Sequence, residues 1–165
     1  MSNEIKIVIG SWGSYNECNE SALGSAWLTL NDYDDWEEIE EELKKQGFIL
    51  DGIDEELFVQ DVDGIPTDST NWDYVNPADL FETFKDSGIL DDKGKYDTFL
   101  AFLEVRSFSE LEERVRERGE CWDDDITVYR ATTGAITAEK CSIAVATGWK
   151  NTYRTFSTLK HTADI

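Results

Sequence analysis

The chain has 165 residues and a mass of 18.8 kDa, with 36 acidic against 15 basic side chains and a net charge of −21. Such a surface repels phosphate backbones and anionic lipid, which excludes direct binding of nucleic acid or a membrane surface through it. Apolar residues at 40% and aromatics at 12% supply a core, which excludes a disordered polymer.

Ile5–Ile9 alternates and predicts a strand that Gly10 closes. Residues 11–21, rich in Ser, Gly and Asn, predict a loop. A second strand is expected over Leu23–Leu30, with Ala26, Leu28 and Leu30 on one face and Trp27 on the other. From Asp34 to Gln46 the pattern turns helical, with Trp36, Ile39 and Leu43 at i, i+3 and i+7 and a stop at Gly47. Leu57–Val59 predicts a third strand, and residues 61–76 a polar loop. Asn76 caps a helix that starts on Pro77, packs Leu80, Phe81 and Phe84, and ends at Gly88. A further helix spans about residues 96–105 by its Phe99, Leu100, Phe102 and Leu103 core positions. Ser107 and Glu110 form a capping box for a helix with Phe108, Leu111 and Val115 on one side and Gly119 at its end. Ile126–Tyr129 predicts a strand, as do pieces near 142–147 and 152–159. The expected fold is α+β: an elongated chain of small lobes, with an N-terminal antiparallel sheet and one helix (1–62), a helical lobe (63–120) and a divergent C-terminal β-containing lobe (121–165).

No apolar run is long enough to cross a membrane, and Met1-Ser2-Asn3-Glu4 lacks a signal-peptide pattern. Cys18, Cys121 and Cys141 have no CxxC spacing and are expected as reduced thiols in the cytoplasm. Conventional catalysis finds little footing. The one histidine, His161, is the fifth residue from the end of the sequence, which disfavours Ser-His-Asp or Cys-His chemistry. Zinc spacing and nucleotide loops are missing. Asp61-Val62-Asp63-Gly64 starts like a calcium loop, but Trp72 stands where its twelfth-position Glu belongs. The expectation is therefore no enzyme, no catalytic residue, no metal and no cofactor.

The charge itself is the signal. Residues 1–100 hold 25 acids and 6 bases, residues 101–130 hold 9 and 5, and residues 131–165 hold 2 and 4. The helix at 34–46 carries Asp34, Asp35, Glu37, Glu38, Glu41 and Glu42, with like charges four apart that each cost about 0.2–0.5 kcal/mol. By contrast, the helix after Ser107 offers the attractive pairs Glu110–Arg114 and Glu112–Arg116. Carboxylates four apart on a helix repeat every 6 Å or so, a spacing comparable to that of phosphates along a DNA strand. Asp51, Asp54, Glu55, Asp61, Asp63, Asp68 and Asp73 extend the array, as do Glu112, Glu113, Glu117, Asp123, Asp124 and Asp125. All are candidate partner contacts for an enzyme that grips DNA. Trp12, Tyr15 and Trp27 are expected as core or turn residues.

Gly10-Ser11-Trp12-Gly13-Ser14-Tyr15-Asn16-Glu17 followed by Leu23-Gly24-Ser25-Ala26-Trp27-Leu28-Thr29-Leu30 resembles the opening of the ArdA antirestriction proteins. Glu55–Asp61 resembles that family's next strand, and Ser107–Glu113 its antirestriction motif, so the likeness covers residues 4–130. The resemblance implies a mobile-element DNA mimic that occupies the DNA-binding groove of the type I restriction–modification methyltransferase core without catalysis. It also implies an elongated chain of three lobes, with dimerisation through the C-terminal lobe. Residues 131–165, at a net +2, depart from the family's acidic C-terminal lobe. Two alternatives stand beside this reading. One is an acidic inhibitor or adaptor of another basic DNA-handling enzyme; the other is a carboxylate-dependent enzyme or metal binder.

Overall fold

The computed structural model describes residues 3–66, 70–132 and 141–147, with side chains up to Val128. The fold is α+β. Strand β1 (Lys6–Ser11) lies at the centre of an antiparallel sheet, between β2 (Leu28–Thr29) and β3 (Leu57–Asp63). Ile7 stands opposite Leu28 on one side and Val62 on the other, and Ile5, Ile7 and Ile9 are fully buried. A bulge between Val8 and Ile9 shifts the pairing from Asp61 to Val59.

Gly10 does not close the strand. It continues β1 because a Cβ there would sit 2.5 Å from Phe58 Cζ, and the missing side chain admits the Phe58 ring. That ring stacks on Trp12 at 4.1 Å. The loop expected over 11–21 is instead helix α1 (Trp12–Glu17) followed by a 3-10 turn at Glu20–Leu23. Ser11 caps α1 by accepting from Ser14 N–H, and Cys18 ends it in the left-handed region. The strand expected over 23–30 shrinks to two residues. Ser25 bonds β1 through its hydroxyl, which accepts from Ile9 N–H at 3.0 Å, and Ala26 N–H turns to Gln46 Oε1 at 2.8 Å. Leu28 and Leu30 are buried as expected, but Ala26 is exposed.

Helix α2 (Trp36–Lys45) buries Ile39 and Leu43, with Gly47 at φ 100° beyond its end. Helix α3 (Pro77–Ser87) has the expected Asn76 cap, Pro77 start and left-handed Gly88. Helix α4 (Lys93–Val105) begins earlier than expected, at the Asp92 cap, and α5 (Phe108–Arg118) at Ser107. Only half of the capping box forms there: Ser107 Oγ accepts from Glu110 N–H, while the Glu110 carboxylate lies 3.8 Å from Arg106. Strands β4 (Ile126–Thr132) and β5 (Cys141–Thr147) form an antiparallel pair. The strand expected near 152–159 lies outside the described residues.

One apolar cluster runs from Ile5 through Trp72, Phe84 and Phe108 to Trp122. Phe84 lies 5.3 Å from Phe99 and 5.8 Å from Phe108, edge to face, and Trp72 lies 5.4 Å from Phe108. Polar bonds tie the sheet to the helices. Asn3 and Asn31 both donate to Leu90 O, at 2.9 and 2.8 Å, and the Tyr96 hydroxyl donates to Gly64 O at 2.7 Å. Trp122 is fully buried and donates its indole N–H to Ser87 O at 3.1 Å. Because Phe84 joins this cluster, Phe84→Ala should cost about 3–5 kcal/mol. In urea, far-ultraviolet dichroism and tryptophan fluorescence should report one shared transition, shifted together in the variant.

Candidate acidic interaction surface

The acids of α2 are less idle than their sequence suggests. Asp35 caps the helix by accepting from Glu38 N–H at 3.0 Å, and Glu38 reaches back to accept from Asp34 N–H at 2.8 Å. Glu40 accepts from the Trp36 indole at 3.1 Å, and Glu42 accepts from Gln46 and lies 3.8 Å from Lys45. These local bonds and the positive end of the helix dipole offset part of the repulsion along the helix. Glu37 and Glu41 stay exposed, with no ion pair or side-chain hydrogen bond among the described residues.

Two sequence candidates are structural instead. Asp54 is 1% exposed and cannot reach a partner. Its carboxylate accepts from the Ser14 hydroxyl and, at 2.8 Å, from Ile49 N–H, pinning the turn 49–54 to α1. Burial opposes the charge, but the hydrogen bonds from Ser14, Ile49 and Ser11 outweigh it and hold the carboxyl below its ordinary value. Asp125 is committed to Arg114 and Arg118, the latter at 3.0 Å. Burial opposes that charge as well, and the two guanidinium groups outweigh it, so its carboxyl also titrates low. Arg114 further donates to Trp122 O at 3.1 and 2.9 Å, so the helical pair Glu110–Arg114 expected from spacing does not form.

The remaining candidates fall on several elements. Asp51 and Glu55 are exposed on the turn beside α1, Asp61 and Asp63 on β3, and Asp73 on the 3-10 turn Trp72–Tyr74. Asp61 also accepts from its own neighbour Val62 N–H at 2.8 Å. Glu113, Glu117 and Asp124 are exposed, and Asp123 is half-buried. Asp68 lies outside the described residues. Glu113 and Glu117 line a groove of about 310 Å³ together with Arg106, Arg114 and Arg118, so that part of the surface is mixed in sign.

The structure adds acids that sequence reasoning missed. Asp79, Glu82 and Asp86 of α3 line a groove of about 250 Å³ with Glu112 and Arg116 of α5. Their i, i+3, i+7 spacing marks one helical face and was the available signal. Glu112 is half-buried there. Burial first, then the Asp79 charge, raises its carboxyl above the ordinary value, against the opposing pull of Arg116. Trp36 of α2 packs 6.3 Å from Phe81 of α3, so the acid-bearing helices α2, α3 and α5 adjoin in sequence order. Among the described residues no group of three or more His, Cys, Asp or Glu is arranged to hold a metal ion, and no helix is long and apolar enough to cross a membrane.

No family model, no curated protein and no solved structure matches the chain.

The Asp54 cluster gives a pH test with a definite sign. A folded-state value below the ordinary 3.8 means the unfolded chain binds the proton first as pH falls. Its stabilisation is therefore complete above the unfolded value and disappears as pH drops through the depressed one. Asp54→Asn should cost about 1–3 kcal/mol near neutral pH by spoiling a buried acceptor. It should also flatten the acid limb of stability measured by urea denaturation between pH 6 and 3.

Proposed function

We propose that the chain is an acidic DNA mimic that inhibits type I restriction–modification enzymes by filling the DNA-binding groove of their methyltransferase core. The observation that carries this reading is the placement of acids on adjoining, rigidly packed helices: Glu37 and Glu41 on α2, Asp79, Glu82 and Asp86 on α3, and Glu112 on α5. Few internal cations answer them. Between Lys6 and Lys85 the only basic residues are Lys44 and Lys45, at the end of α2.

Anions fixed in this way are pre-organised for a cationic groove. The enzyme's Lys and Arg would exchange small counterions for carboxylates, as they do for phosphates, and release of those ions drives association. No bond is made or broken, and no single carboxylate carries the effect. The ArdA-like motifs at residues 10–30, 55–61 and 107–113 support the same target.

Competition binding tests the proposal. The chain should displace labelled duplex DNA from a type I methyltransferase core, with affinity that falls steeply as salt rises. Formation of a ternary complex with DNA overturns it. The double reversal Glu37→Lys/Glu41→Lys should lower affinity at low salt by about tenfold or more and make the salt dependence shallower by about one to two ions. Either single reversal should do much less.

A further inference from the structure

A surface that worked by charge alone would hold every cationic groove about equally, yet several large apolar side chains are exposed here, among them Tyr15, Ile49 and Ile53. Tyr15, expected as a core or turn residue, is 57% exposed, and Ile49 is 56% exposed. Three contacts bring them to one corner. Gly13 of α1 lies so close to the turn that a Cβ there would be 1.8 Å from Ile53 O; Trp12 N–H donates to Glu56 O at 3.0 Å; and Asp54 bonds both α1 and Ile49. Trp12 meets Tyr15 edge to face at 6.0 Å, and Ile53 is 38% exposed beside them. Asp54 and the Trp12–Phe58 stack hold this corner in shape, so the exposed side chains sit on a rigid support.

We infer that Tyr15 and Ile49, with Ile53 between their supports, form an apolar anchor that docks against a basic protein surface. The inference rests on the inhibitory reading above and names how that partner is told apart from other cationic surfaces. Charge complementarity selects the occupant. The anchor is bordered in sequence by the exposed acids Glu17, Asp51, Glu55 and Glu56, and no Lys or Arg occurs between Lys6 and Lys44. A second copy of the chain would bring the same acids against these, and an anionic membrane would be repelled. A protein whose cationic groove has an apolar side chain at its margin meets both requirements. Aromatic and aliphatic anchors ringed by polar groups are where binding energy concentrates in protein interfaces. A phosphodiester backbone offers no counterpart to them, so this corner would let the inhibitor hold its enzyme at salt concentrations that strip DNA away.

Salt dependence separates the two contributions. With the type I methyltransferase core as the probe, Tyr15→Ser/Ile49→Ser should lower affinity about tenfold at every salt concentration and leave the slope against log salt unchanged. Tyr15→Phe should keep wild-type affinity. Each single Ser variant gives the same readout in a smaller step, and thermal melting monitors the fold. Wild-type binding that the folded Ser variants leave unchanged overturns the anchor alone. Loss of self-association in those variants, with enzyme binding intact, also overturns it by assigning the corner to a homodimer. A wild-type chain that binds the enzyme at no salt concentration overturns the inhibitory reading and the anchor with it.

Discussion

Repulsion among its own carboxylates is the constraint this molecule is built around. A net charge of −21 on 165 residues favours expansion, and the acids of α2, α3 and α5 sit on helices that pack side by side. What opposes expansion is an aromatic core that runs from Trp36 against Phe81 to Phe84 among Phe99 and Phe108 and on to Trp122. The acids can then be held at fixed positions because the residues beneath them are close-packed, and fixed position is what separates an array from a diffuse cloud of charge.

The electrostatics are also managed locally. Asp35 and Glu38 spend their charge on the orphan N–H groups that open α2, and Asp125 is neutralised between two arginines. Glu112 shows the opposite outcome: burial first, and then the Asp79 charge, make its carboxyl keep its proton more readily. The surface is thus a mixture of spent, shared and unspent acids, and the unspent ones give the functional reading its content.

Much of the fold was legible where a local rule is strong. Asn76-Pro77 and Gly88 bracket α3, and Ser107 and Gly119 bracket α5, because capping and the left-handed C-terminus depend on neighbours a few residues away. Helix α1 was not legible, since its Ser, Gly and Asn content favours a turn, and tertiary contacts with the turn 49–54 and Phe58 decide otherwise. The site was half legible for the same reason. Composition shows how many acids there are, but not that Asp54 is buried under Ser14, nor that Arg114 passes over Glu110 for a carboxylate eleven residues on. Likewise, Tyr15 looks like core material by type, and only the packing of α1 against the turn leaves it facing solvent.

The sheet carries one further consequence. Strand β3 is an outer strand of the β2-β1-β3 order, and such strands invite unwanted pairing with other chains. Its outward positions include the exposed Gln60, Asp61 and Asp63, and the bulge that leaves Gln60 as the extra residue of β3 breaks the flatness that stacking requires. Aspartates at that rim make end-on growth into fibrils unfavourable, because like charges would meet wherever two such edges approached.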